Sequence, residues 1–589
     1  MRTSIAAGTL ALLMMAQGAL GADLYVSPTG RDSHPGTKAQ PLATLAGARD
    51  AVRAINKNAK GDIVVEFADG LYPVQETVVF GPGDSGTGGH KVIYAAAAGG
   101  KPIVTGGLAV TGWEVHDKAK NIYRAKTTTT PFRQLYVNDA LAIRARHPNR
   151  ESTKDNSPYW ECKVPKIPTM RIKQEYWQPC ETIPTAKLSE VEMVMICHWY
   201  HQRIRIGTAR QDGKEVEFTP ATPNKNFSKD ANFYKRNGAI DNPFYFENAV
   251  EFIDAPYEWY QDAGKGMVFM AFPKDVSPGD VRVEIPLVET LIAIEGTPAN
   301  PVRDIEFRGL SFTLTNWNKP SAEGVNMTQA AQPIGTKTPP AMVSARHGER
   351  LAFRNNSFLQ AGGQGLELYD ADLTDIEGNT FRMIAANGII IDSGTGSKPP
   401  PDKQSVGIAI WNNEASECGS HYSNGMFLFA SNVRKLTVAH NHIHDLPYSG
   451  MQIGQQPGGA RGKEYRDVGC GENTIINNHI HHCTQIHGDG GGIYTLGGIQ
   501  TGTVISGNFV HDTNQPKWDK YHVSHIYLDN NSSKVTVKDN VTKGGKAEAR
   551  NGSKDNAFSN NTQANPQIEK NAGIKPGYNP RGKARPVRE

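Results

Sequence analysis

Two short patterns, interleaved and in fixed register, restrict this chain more than any other feature of it. Five-residue strings recur at 365–369, 388–392, 425–429, 450–454, 492–496 and 525–529, with apolar second and fourth residues in every case but Thr495. Alternation of that kind buries one face and leaves the third and fifth residues on the other. Between the strings runs a ladder of asparagines: Asn356, Asn379, Asn413, Asn441, Asn478, Asn508, Asn540 and Asn561. From Asn356, Asn379 and Asn441 the next string begins nine residues on. Two registered ladders that alternate along a chain describe the coils of a parallel β-helix, with equivalent residues stacked about 4.8 Å apart. The asparagines then occupy an inward turn, where stacked amides bond one another and the backbone. A β-sandwich also offers many short strands, but it has no reason to repeat an offset of nine.

The rest of the 589 residues arranges itself around this solenoid. Arg2, the apolar run 10–16 and the small residues before Gly21 predict an export signal at 1–21, cleaved after Gly21, and a periplasmic or extracellular protein. Residues 22–106 read as the N-terminal part of the β-helix with one short amphipathic helix near 43–56. From 107 to 300 the ladder is absent, and Trp113, Trp160, Trp177, Trp199 and Trp259 gather there, predicting an inserted β-rich domain whose aromatics mostly fill its own core. The β-helix core follows at 301–565. The net charge of +4 resides in the tail 566–589, read as a solvated end, which argues against nucleic acid as a partner. No later apolar run is long enough to span a membrane. Six cysteines leave disulfides and buried thiols both open.

An outer strip of third- and fifth-position residues is where such a coil can build a site. It holds Glu367, Gln452, Tyr494 and Tyr527, with Tyr369, Asp392 and Asp529. Carboxylates, phenols and an amide on one strip can supply the two carboxyl groups that glycoside hydrolysis requires. Fourteen residues separate Asn478 from Gly492, and the extra length contains 487–491, where Asp489 is embedded in glycines. Such an acid serves either a functional loop or its own turn backbone. His444, His481 and His511 each lie three residues after a ladder asparagine. They read as hydrogen-bonding wall residues in preference to metal ligands, since rings at one rung spacing face the same way. No metal or other cofactor is predicted. The strip has no Lys or Arg to act as the base of a polysaccharide lyase, although a lyase and a non-catalytic glycan-binding protein remain the alternatives.

The segments 24–28, 134–138 with 144–146, 246–248 with 258–260, 491–497, 526–529 and 572–574 resemble secreted β-helix enzymes of glycoside hydrolase family 141, with family 120 as a relative. The resemblance implies an all-β, right-handed parallel β-helix, a pectate-lyase-like solenoid, with an inserted β-sandwich-like domain. It also implies cleavage of a plant-type or microbial polysaccharide such as fucosylated pectin or xylan. Carried over to this chain, it places the catalytic acids at Asp489 and Asp529. By the strand register Asp489 lies seven residues upstream of the level of Asp529, so a pair requires the glycine loop to fold back, and Asp512 is the reserve partner. Glu367, Asp392, Gln452, Tyr494, Tyr527, His444, His481 and His511 are the expected substrate contacts.

Overall fold

The computed structural model describes residues 24–149, 160–166, 169–221, 242–320, 324–333, 338–392, 404–454, 470–519 and 521–575. The expected signal and the end of the tail lie outside them. Each turn of the chain passes through three parallel sheets. The first has 12 strands, from Leu24–Val26 to Ala557–Ser559; the second has 10, from Gly70–Pro73 to Val541–Lys543; the third has 11, from Val78–Phe80 to Ala547–Ala549. This is a parallel β-helix.

The asparagines stand in one line at the turn between the first and second sheets. Each Nδ2 donates to the Oδ1 of the next, from Asn356 to Asn561, at 2.9–3.1 Å. Each backbone N–H donates to that same Oδ1 at 2.8–3.2 Å. The second Nδ2 proton goes to a carbonyl, such as Ile410 O for Asn441 and Val438 O for Asn478. A buried turn, whose backbone would otherwise lack partners, is thereby fully bonded.

Inside the coil, Leu366, Ile389, Leu428, Met451, Ile493 and Ile526 pair rung upon rung, all fully buried. This corrects one string. At 425–429 the register is two residues later than the glycine indicates, because Phe427 takes the place that Gly388 and Gly450 hold in their coils. Fourteen residues separate Asn413 from Phe427, as they do Asn478 from Gly492, and seventeen separate Asn508 from His525. The extra length falls at the corner between the second and third sheets.

The excursion from the coil begins after Pro102–Thr105, and the third sheet resumes at Ile292–Glu295, inside the range the sequence assigns to the insert; no ladder asparagine precedes that strand to reveal it. Between them lie antiparallel strands in three smaller sheets, save that Ile143–Arg144 pairs in parallel with Glu258–Asp262. The longest of these, Tyr200–Asp212, pairs with Val325–Thr328, which returns from the coil. Beneath that seam Arg133, Arg144 and Arg203 are buried with Glu192 and Glu247. Burial opposes charge there, yet Arg133 and Arg144 hold the Glu192 carboxyl far below its usual range.

The tail is not a solvated end as far as residue 575. After the short helix Pro566–Asn571 the chain runs back along the asparagine turn, where Gly573 N donates to Asn477 O, His440 bonds Gly573 O and Lys575 N donates to Asn412 Oδ1. The left-handed residues of that turn expose polar groups that a strap can pair. Cys180, Cys197, Cys418, Cys470 and Cys483 are buried free thiols.

Replacing Asn478 with Ala removes the acceptor of both Asn441 N and Asn441 Nδ2 and the donor to Val438 O. The orphaned buried groups cost about 2–4 kcal/mol, and a thermal or urea melt of Asn478→Ala should report a loss of that size.

Candidate active site

The outward column of the third sheet runs Glu367, Ile390, Phe429, Gln452, Tyr494, Tyr527, Glu548, one residue per coil. At its C-terminal end Tyr494 and Tyr527 are buried edge to face, 5.3 Å between centroids, and Tyr494 donates to Asp529 Oδ2 at 2.7 Å. Asp529 ends the strand Val523–Asp529 and is itself buried. Asn530 Nδ2 reaches its Oδ2 at 3.0 Å and Asn551 Nδ2 its Oδ1 at 2.5 Å.

Asp489 arrives from the long corner loop. Its φ is +52°, and the next three residues must be glycine for the chain to lie flush on its neighbours. A Cβ at Gly490 would meet Ser449 Oγ at 2.4 Å, one at Gly491 would meet Ser524 O at 2.4 Å, and one at Gly492 would meet Val510 at 2.6 Å. Tyr448 holds the loop by donating to Asp489 O at 2.8 Å. The half-buried Gln329 donates to both phenols, Tyr448 at 3.1 Å and Tyr494 at 3.5 Å, so the tyrosines that serve the two aspartates are joined. Burial first, then the negative charges of Asp529 and Asp519, push the Asp489 carboxyl well above the carboxylate range. The same two influences, burial and the charges of Asp489 and Asp529, raise the Tyr494 and Tyr527 phenols. The strand pairing stays in register from Gly490 to Leu496, so Asp489 keeps its place seven residues before the level of Asp529, and the two acids are related through the phenols between them and the charge of Asp529 that Asp489 feels.

The third acid of this group is Asp519, not Asp512. Asp519 is buried, accepts from Gly488 N at 2.8 Å and bonds His198 Nδ1 at 2.8 Å. His198 belongs to the insert, which here packs against the coil. From there a buried chain runs His201 Nδ1 to Ser423 Oγ at 3.0 Å, Ser423 Oγ to His487 Nε2 at 2.8 Å, and His487 Nδ1 to His198 O at 2.7 Å. Burial lowers His487 to about 4, and burial with Arg203 beside it lowers His201 well below the ordinary range, so both rings are neutral. Trp199 packs against the buried cluster that contains Ile390, Phe429 and Tyr448.

Other expected contacts lie elsewhere. Asp512 is exposed and bonds His511, a hydrogen bond that lowers its carboxyl. His444, His481 and His511 stand on the second sheet, round the corner from the tyrosines, because the strand that directly follows each asparagine belongs to that sheet. Glu367 is at the far end of the column, in an ion pair with Arg346. Asp392 accepts from the backbone of Asp370 and Ser405, a turn-bonding role, and burial pushes it up to about 6. Gln452 lies one rung from Tyr494 and is fully buried. Among the described residues, the groups that could hold a metal are on the second sheet. Sequence reasoning missed Asp519, His198, Gln329, Tyr448 and Glu548; only Asp519 had a signal, the seventeen-residue gap after Asn508.

The family model described as the GH141 insertion domain matches residues 119–274. A solved structure titled "Glycoside hydrolase" is 25% identical, with a TM-score of 0.83, covering 95% of this chain and 100% of its own. The chain is a family 141-like glycoside hydrolase. A complex of XylC with xylose is 11% identical with a TM-score of 0.48, over 90% of this chain and 69% of its own. Pectate lyase Pel9A is 10% identical with a TM-score of 0.31, over 95% and 80%. No curated protein matches the sequence. No described helix of this family 141-like enzyme is long and apolar enough to cross a membrane.

The raised Asp489 carboxyl has a thermodynamic sign. A folded state that keeps a proton the unfolded chain releases loses stability as pH rises above the unfolded aspartate range near 4. Asp489→Asn removes that penalty. Its melting temperature should exceed that of the wild type at about pH 7, with the gap closing at about pH 4; a gap independent of pH would refute the buried-acid account.

Proposed function

We propose that the pocket between the third sheet and the insert cleaves a glycosidic bond, with Asp489 as general acid and Asp529 as its carboxylate partner. The observation that carries this reading is the unequal treatment of the two acids. Asp489 is pushed toward its protonated form by burial and neighbouring charge. Asp529 accepts hydrogen bonds from Tyr494, Asn530 and Asn551, the surroundings of an acceptor-only carboxylate. Environments that separate two carboxyl groups in this way are what acid and base roles require.

In the proposed reaction Asp489 delivers its proton to the leaving glycosidic oxygen as the C–O bond breaks. Asp529 then either attacks the anomeric carbon or takes a proton from the water that does. Tyr494 holds Asp529 in place, and Asp519 fixes the Asp489 loop through Gly488 N. His198 Nε2, buried and without a hydrogen-bond partner, is available to a sugar hydroxyl. Trp199, half-buried at the rim, offers a face for a sugar ring. We take the substrate to be a plant-type or microbial polysaccharide, fucosylated pectin or xylan among them, and the export signal to place the enzyme in the periplasm or outside the cell. The 107–300 insert acts as the cover of this site. The outward column contains no Lys or Arg, which favours hydrolysis over β-elimination.

A panel of pectic, xylan and microbial polysaccharides should yield saturated reducing sugars, with no absorbance from unsaturated ends. On the substrate found, Asp489→Asn and Asp529→Asn should each lower kcat by about 10²–10⁴-fold, and the wild-type profile against pH should be bell-shaped. Near-normal rates in both variants would remove the assignment, and unsaturated products would make the protein a lyase. The anomer released first, read by NMR, decides whether Asp529 attacks or activates water.

A further inference from the structure

The outward face of the second sheet holds five histidines on three adjacent strands. His442–His444, His479–His481 and Phe509–His511 pair in register with Ile443, Ile480 and Val510 buried, so the first and third residues of each strand face outward. Two columns result. His442, His479 and Phe509 stack at 5.0 and 4.9 Å in one; His444, His481 and His511 stack at 5.1 and 4.9 Å in the other. Rings within a column face the same way, as the sequence predicts, but the second column faces the first. His442 Nε2 lies 2.9 Å from His481 Nε2, and His479 Nε2 lies 2.9 Å from His511 Nε2. Ligating nitrogens of His442, His479 and His481 are all within 4.8 Å of one another, and so are ligating atoms of Glu414, His442 and His444.

The two rings that flank the group, His444 and His511, have the outer contacts of metal-bound histidine, while His481 Nδ1 lies 2.6 Å from His482 Nδ1. His444 Nδ1 bonds Asp445 Oδ2 at 2.7 Å and His511 Nδ1 bonds Asp512 Oδ2 at 2.6 Å. A carboxylate on Nδ1 fixes the tautomer and turns the Nε2 lone pair outward, the usual support of an imidazole ligand. His444 Nε2 is buried without a hydrogen-bond partner, 3.7 Å from Glu414 Oε1. Imidazoles with a carboxylate beside them suit zinc, nickel or copper, whereas calcium and magnesium take oxygen ligands.

We propose that this face binds one divalent cation of the zinc class through His442, His479 and His481. Its position gives the ion a structural consequence. His479–His481 runs on into the loop that carries Asp489, and Phe509–His511 into the loop that carries Asp519. An ion joining the strands braces the base of the first loop and, through His479 and its neighbour His511, that of the second. The proposal stands apart from the glycosidase reading, since binding is measured without substrate.

The test uses the untagged full chain, stripped with a chelator and titrated calorimetrically with zinc ion. It should take up one zinc per chain in the micromolar range or tighter, with no competition from calcium, and raise its melting temperature. Cobalt in place of zinc should give the intense visible band of a four-coordinate site. His442→Gln and His481→Gln, on different strands, should each weaken binding at least tenfold, of the order seen when metal-site partners are lost, and His34→Gln, far from this face, should leave it unchanged. If one of the pair misfolds by circular dichroism, the other carries the test. A wild type that binds no zinc at micromolar concentration, or variants that bind it like the wild type, overturns the proposal.

Discussion

The asparagine ladder is the interaction on which the other features depend. Each Oδ1 accepts two hydrogen bonds from the coil before it, and each Nδ2 donates both its protons, so the turn between the first and second sheets has one geometry in every coil from Asn356 to Asn561. A turn so fully bonded cannot absorb an insertion. Variation in coil length falls at the other two corners: at the next one nine residues suffice in three coils and fourteen or seventeen occur in others, and the stretch from Ile453 to Thr474 lies at the third. The loops that carry Ser423, Asp489 and Asp519 are those lengthened coils, and hydrogen bonds through His487, His198 and Gly488 join them. Rigidity at one edge thus leaves the other corners as the places where chemistry can be assembled.

That division explains what the sequence disclosed. The strands and the asparagine line were legible because a stacked repeat writes each contact several times over. The string at 425–429 misled because its glycine is a loop residue, while a phenylalanine occupies the stacked position. Asp489 and Asp529 were reached by resemblance, and the glycines after Asp489 indicated the close approach that the structure displays. The charge coupling of these acids was not legible, since strand spacing alone places them seven residues apart. His198 and Gln329 gave no sequence signal at all. They reach the pocket only through the insert and its pairing with Val325–Thr328, contacts that no local spacing encodes.

Two islands of opposite charge lie next to each other where the insert meets the coil. Arg133, Arg144 and Arg203 outnumber Glu192 and Glu247, and this surplus, with burial, keeps His201 and His421 neutral. Across the Ser423–His487 link the balance reverses, with Asp489, Asp519 and Asp529 gathered around buried phenols. Buried ion pairs of this kind contribute uncertainly to net stability but strongly penalise misplacement. The cationic cluster thus seats the insert against the coil, and with it His198 against Asp519.

Hydrogen-bond direction favours the same proposed division of roles between the two aspartates. Gln329 Nε2 has two protons and donates one to each phenolic oxygen. Each tyrosine, having accepted, has a single proton left to give. Tyr494 gives its proton to the Asp529 carboxylate, whereas Tyr448 gives its own to the backbone carbonyl of Asp489. Asp529 is therefore met by donors on both oxygens, with Asn530 and Asn551 completing the set, and a proton placed there would face other protons. Asp489 is held by its backbone, which leaves its carboxyl group to keep a proton in a low-dielectric, negatively charged setting. One amide thus fixes the sense of two phenols and directs one of them at the Asp529 carboxylate, an arrangement that favours the proposed division of roles, since glycosidic cleavage by paired carboxyl groups needs one donor and one acceptor.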